Sequence, residues 1–171
     1  MFSPAQRRYL FVQNLVGAAF VNLLINGALG WVITRSLDSF PVWGFPGAAL
    51  DLAATGFGVT FGTCIAASIG VRWDVGRGRI EPPSLMPEHA AWYGRLPGNV
   101  FSRSVWLGLI SLPVFVLPLL AWLAWSGMPA LERTSFIWLK AGFSAVQAAI
   151  VTPPIVLAAL VDVSRAAPPR L

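Results

Sequence analysis

The residues of this chain that could do chemistry are seven polar side chains set inside apolar stretches: Asn14, Asn22, Asn26, Asp51, Lys140, Gln147 and Thr152. The three asparagines recur at intervals of eight and four residues, so on a helix they share one slowly drifting face with Ala18 and Gly30, next to Gln13. A carboxamide carries two donors and an acceptor, and is costly in an apolar phase unless these are met. That face must therefore look toward protein, water or a solute. Hydrogen bonding between helices is the plainer use, worth well under about 2 kcal/mol per contact. A polar strip lining a path or a small-molecule site is the functional one.

Asp51 is the one acid inside an expected apolar span, and an ionisable group there is a functional candidate by default. If its helix begins at Pro46, however, Asp51 sits about one turn inside, where the positive end of the helix dipole already favours a carboxylate. Lys140 occupies the matching depth in the last apolar run, where its sign is wrong for a helix N-terminus. Its long stem can carry the ammonium to the interface beside Trp138. An ion pair between Asp51 and Lys140 removes both anomalies. Gln147 and Thr152 stand beside Pro153 and Pro154, which free backbone carbonyls one turn earlier, as do Pro113 and Pro118. Such carbonyls need partners at membrane depth, and Gln147 and Thr152 are near enough to be expected to serve. A broken helix lining a site is the functional reading and a simple kink the preferred one.

Other chemistries lack their residues. Cys64 is the single cysteine, so there is no disulfide framework, and His89, beside Glu88, has no metal-ligand spacing. Gly76-Arg77-Gly78-Arg79 lacks the Gly-Lys-Ser/Thr ending of a phosphate loop. No catalytic residue, metal site or cofactor is expected, and the chain is not read as an enzyme.

The elements that must position the seven residues are helices in a bilayer. Of 171 residues 56% are hydrophobic and 11% charged, against roughly 25% charged in a soluble domain. Four apolar runs, at about 9–34, 48–71, 104–126 and 136–161, are each long enough to cross a hydrocarbon core of roughly 30 Å at about 1.5 Å per residue. The expected fold is all-α: an integral membrane protein of four transmembrane helices in two hairpins, forming a single domain over 1–171. The first run is too long for the apolar region of a signal peptide. Helix two, dense in Gly56, Gly58, Gly62, Ala66 and Gly70, is expected at the centre, because small residues allow close backbone approach in lipid. Within the loop at 72–103, residues 87–96 are expected to form a short interfacial helix turning Trp92, Tyr93 and Leu96 to lipid.

Nine of the 12 basic residues lie at the N-terminus, in the loop 72–103 and in the tail, while Arg35, Arg133 and Lys140 lie on the other side. Positive loops stay cytoplasmic, so both termini and that loop are expected there, in a bacterial-type inner membrane. Tryptophans mark the same two levels: Trp73, Trp92 and Trp106 inside, and Trp31, Trp43, Trp122, Trp125 and Trp138 outside. The net charge of +5 is thus a topology signal and no nucleic acid is expected as a partner. Laying helix four on helix two superposes Lys140 on Asp51 and Thr152 on Thr63, but little else, so an internal duplication does not follow. The leading expectation is a small transporter or channel-like protein with a polar path along helix one. The alternative is an accessory subunit, its partners being the bilayer together with a second copy or a larger membrane complex.

Overall fold

A computed structural model of the chain describes residues 3–81, 93 and 95–166. It is mostly helical, with four helices long and apolar enough to cross a membrane: α1 Pro4–Thr34, α2 Ala48–Gly76, α3 Val100–Ser126 and α4 Arg133–Ala166. Each is longer than its apolar run, and at the starts of α1 and α3 a side-chain cap sets the helix end. Ser3 and Gln6 form a reciprocal capping box at the start of α1, with Pro4 as the first helical residue. The Asn99 side chain accepts from the amides of Phe101 and Ser102 and starts α3 four residues before the expected 104. Gly127, at φ 65°, ends it in the left-handed conformation that glycine adopts without strain.

Two helices contain widened π turns. One occupies Arg8–Val16 of α1; the other, Leu112–Val116 of α3, holds Pro113, whose missing amide loosens the ladder. By contrast α4 runs unbroken through Pro153 and Pro154. Neither Thr152 nor Gln147 repairs their loss. Thr152 donates to Ala148 O at 2.6 Å and Gln147 reaches across to α2, so neither meets the carbonyls of Ala149 and Ile150 that the prolines release.

Hydropathy says nothing of a small sheet. The two short connectors pair as antiparallel strands, β1 Ser39–Pro41 on β2 Ala130–Glu132, with Phe40 opposite Leu131. Val42 N adds a bond to Pro129 O and Arg133 N one to Asp38 O. The pairing holds both connectors at one end of the molecule and gives the hairpins a common direction. Beneath it Phe40, Val42, Leu52, Leu123 and Phe136 form one buried cluster, with the Phe40 and Phe136 rings 4.7 Å apart. A second cluster, around Leu10, Val71, Val156 and Leu160, closes the opposite end.

Between these clusters the helices pack as a folded row. α4 lies against α1 and α2, and α2 carries α3 on its other side; α1 and α2 scarcely touch. The centre is therefore α4 and not the glycine-rich α2: 61% of the most apolar window of α4 is buried, against 44% for α2. The reason is local. Gly58, Gly62 and Gly70 of α2 face open space, whereas Ala141, Ser144, Ala148, Thr152 and Ala159 of α4 are all enclosed. Tryptophans 31, 43, 122, 125 and 138, and also 73 and 106, are exposed on the surface. Trp92 and most of the expected interfacial helix at 87–96, together with Glu88 and His89, lie outside the described residues.

Candidate functional site

Because α1 and α2 stand apart with α4 behind them, they leave a groove along one flank of the molecule. Its half near the sheet encloses about 380 Å³ between Asn22, Asn26, Asp51, Thr55 and Lys140. Its other half, about 410 Å³, is lined by Gln13, Asn14, Asn22, Thr63 and Thr152. Asn22, Ile25, Gly58 and Val59 border both halves, so the groove is continuous. Six of the seven residues singled out by type and spacing line it. Gln147 does not.

The asparagines are organised by their own helix. Asn14 Nδ2 donates to Tyr9 O at 2.9 Å across the π turn, Asn22 Nδ2 to Ala18 O at 2.9 Å, and Asn26 Nδ2 to Asn22 O at 3.1 Å. Each bond ties the donor end of the carboxamide back along the helix and leaves the oxygen end outward. Among the described residues no donor reaches the side-chain oxygen of Asn26, although the residue is only 7% exposed. The hydroxyl of Thr55, equally buried on the facing helix, makes no hydrogen bond with any described residue. The close seat of α1 on α4 comes from Gly27 and Gly30. An added Cβ on Gly30 would lie 3.5 Å from the Lys140 stem, and Ser144 Oγ donates to Asn22 O at 3.1 Å.

At the sheet end of the groove, Lys140 Nζ lies 2.5 Å from Asp51 Oδ2, joining α4 to α2. The lysine is 3% exposed and the aspartate 17%. The contact uses one of three ammonium donors and leaves carboxylate acceptor positions open. We expect a double-mutant cycle with Asp51→Asn and Lys140→Met to give a coupling above the roughly 1 kcal/mol ceiling of surface pairs. Asp51→Asn should be the more harmful single change, since it strands a buried ammonium. Equilibrium unfolding in mixed micelles checks this, and a coupling of zero would make the two charges independent.

Gln147, fully buried, lies between α4 and α2 on the side away from the groove. Its Nε2 donates to Gly56 O at 2.6 Å and to Thr60 Oγ1 at 2.8 Å, and Ser111 Oγ of α3 donates to the same Gly56 oxygen at 3.0 Å. Three helices thus share one backbone carbonyl. Its role is to hold the bundle behind the groove.

A second ion pair went unread in the sequence. Arg103, counted there as a loop charge, is a helical residue of α3 with 1% exposure. Its Nη1 lies 2.5 Å from Asp162 Oδ2 of α4 and its Nη2 donates to Ser68 Oγ of α2 at 3.1 Å, while Nε has no partner. Asp162, read as the start of the tail, belongs to α4. The available signal was two opposite charges, each just beyond an apolar run at the same end of the molecule. Helix four thus carries one ionic link toward each end, Lys140 and Asp162, about 33 Å apart along its axis.

No family model, curated protein or solved structure matches the chain.

Proposed function

We propose that the chain is a small multi-pass protein of a bacterial-type inner membrane, with both termini and the loop 72–103 cytoplasmic, that moves a small solute along the groove between α1 and α2. One observation carries this reading: polar groups with unmet hydrogen-bonding capacity line a continuous groove over most of the length of α1. Exposed to lipid tails, the oxygen ends of Asn14, Asn22 and Asn26 and the hydroxyl of Thr55 would be a standing cost, which water or a solute in the groove removes. The ionic link between Asp51 and Lys140 lines the groove at its sheet end, which by the arginine count is the outer one.

The test uses single cysteines in a Cys64→Ser background. Asn14→Cys, Asn22→Cys and Asn26→Cys are expected to react with a hydrophilic thiol reagent, and Leu24→Cys, on the outward face of the same helix, only with a lipid-soluble one. If the three groove positions behave like Leu24, there is no aqueous path. Reporter fusions near Glu88 check the orientation: a cytoplasmic reporter should be active there, and activity of a periplasmic reporter would invert the topology.

A second reading, an accessory subunit that docks a partner helix in the same groove, is favoured by Gly58 and Gly62, where an added Cβ would meet nothing within 4 Å. Under that reading Gly58→Leu and Gly62→Leu release a co-purifying membrane partner. Under the transport reading they narrow the path and slow thiol labelling at Asn22→Cys.

A further inference from the structure

The half of the groove beside the sheet holds more unmet polarity than a structural ion pair requires, and the pattern selects a ligand. Resting on the reading of the groove as a solute path, we infer that this chamber binds a small zwitterion with a primary ammonium group, a free amino acid with an apolar side chain being the fitting class. The ammonium sits against Asp51 and the carboxylate against Lys140.

Four observations lead there. The charges lining the chamber are one carboxylate and one ammonium side by side, so the wall is neutral. A simple cation brought to Asp51 would also face Lys140, and a simple anion brought to Lys140 would also face Asp51. A ligand bearing both signs meets both. Asn26 and Thr55, each 7% exposed, add an unbonded carboxamide oxygen and an unbonded hydroxyl to the same cavity. Together with Asp51 and the Asn22 oxygen they supply four acceptor groups, enough to meet all three donors of a primary ammonium group. A quaternary ammonium, which has no N–H, would leave them unmet. Apart from Asn22 the remaining wall is apolar, from Ile25, Leu29, Ile33 and Val59, and asks for a hydrocarbon side chain. The volume, about 380 Å³, lies toward the lower end of small-molecule sites, which run from roughly 300 to 1,000 Å³. On binding, the ligand's two charged groups take the places that Asp51 and Lys140 occupy for each other, so the direct link between α2 and α4 parts as the solute enters. No covalent step is involved.

The full chain in lipid nanodiscs is titrated with radiolabelled L-leucine, and three unlabelled competitors are compared. Isopentylamine is leucine without its carboxylate, 4-methylpentanoate is leucine without its amine, and glycine betaine is a zwitterion without N–H donors. Leucine itself is expected to displace the label at least tenfold more effectively than any of the three. Asp51→Asn and Lys140→Met should each weaken leucine binding at least tenfold. Thr55→Val, which leaves the ion pair intact, guards against loss by unfolding: it should weaken leucine severalfold while the unfolding temperature and gel-filtration profile stay as in the parent. Equal competition by isopentylamine would make this a cation site and overturn the proposal, as would unchanged affinity in a folded Thr55→Val and Lys140→Met. Failure to bind leucine, in protein whose Asn26→Cys variant takes the hydrophilic thiol reagent, overturns the zwitterion and leaves the aqueous groove standing. Failure of both removes the groove reading together with its ligand.

Discussion

Asp162→Ala is expected to be the most destabilising single charge removal in this protein, at roughly 3–5 kcal/mol, the usual cost of stranding one member of a buried pair. The asymmetry of the pair carries the expectation. Arg103 is 1% exposed and Asp162 is 24% exposed, so an orphaned aspartate can recruit water where an orphaned guanidinium cannot. With Asp162 gone, the Ser68 hydroxyl is the remaining hydrogen-bond partner of the Arg103 guanidinium among the described residues, and Nε has none even in the parent. Arg103→Met should therefore cost distinctly less, and Arg103→Met combined with Asp162→Leu should recover much of the loss by replacing the pair with packed hydrocarbon. Unfolding of the four variants in mixed micelles decides it. An Asp162→Ala protein within about 1 kcal/mol of the parent would mean that the Arg103 charge is met elsewhere.

Gly56→Ala is the second large effect, expected at roughly 1–3 kcal/mol from overpacking alone. A Cβ at this position would overlap Val116 Cγ2 and come within 3.5 Å of the Phe143 ring. Valine is stiff about χ1, so it cannot simply swing aside, and α3 must move off α2. That movement also stretches the bond from Ser111 to Gly56 O. Two residues along the same helix Gly58 faces open space, so Gly58→Ala should be neutral or gain up to about 1 kcal/mol of helix propensity. Val116→Ala should rescue Gly56→Ala by removing the overlapped methyl. Equal unfolding temperatures for Gly56→Ala and Gly58→Ala would show that the contact between α2 and α3 is looser than drawn.

What the residues alone determined is what depends on one residue at a time. Transfer of a side chain from water to hydrocarbon adds along the chain, so four apolar runs of sufficient length were legible as four helices. The shared depth of Asp51 and Lys140 followed from counting, and so did the common face of Asn22 and Asn26, because helical periodicity is a local property. The groove was not legible, since a gap between α1 and α2 exists only because α4 packs against both, and nothing in any one helix says which neighbour it will choose. The direction of Gln147 was lost for the same reason: its span fixes its depth but not which side of α4 meets α2. Arg103 was misread because hydropathy scores a charge as if it stood alone, whereas its burial is tolerable only with Asp162 and Ser68, far away in sequence and brought together by the fold. The sheet shows the same limit from another side. Ser39–Pro41 and Ala130–Glu132 are three residues each, too short to carry a strand signal, and they become strands only because the two hairpins hold their backbone donors and acceptors face to face.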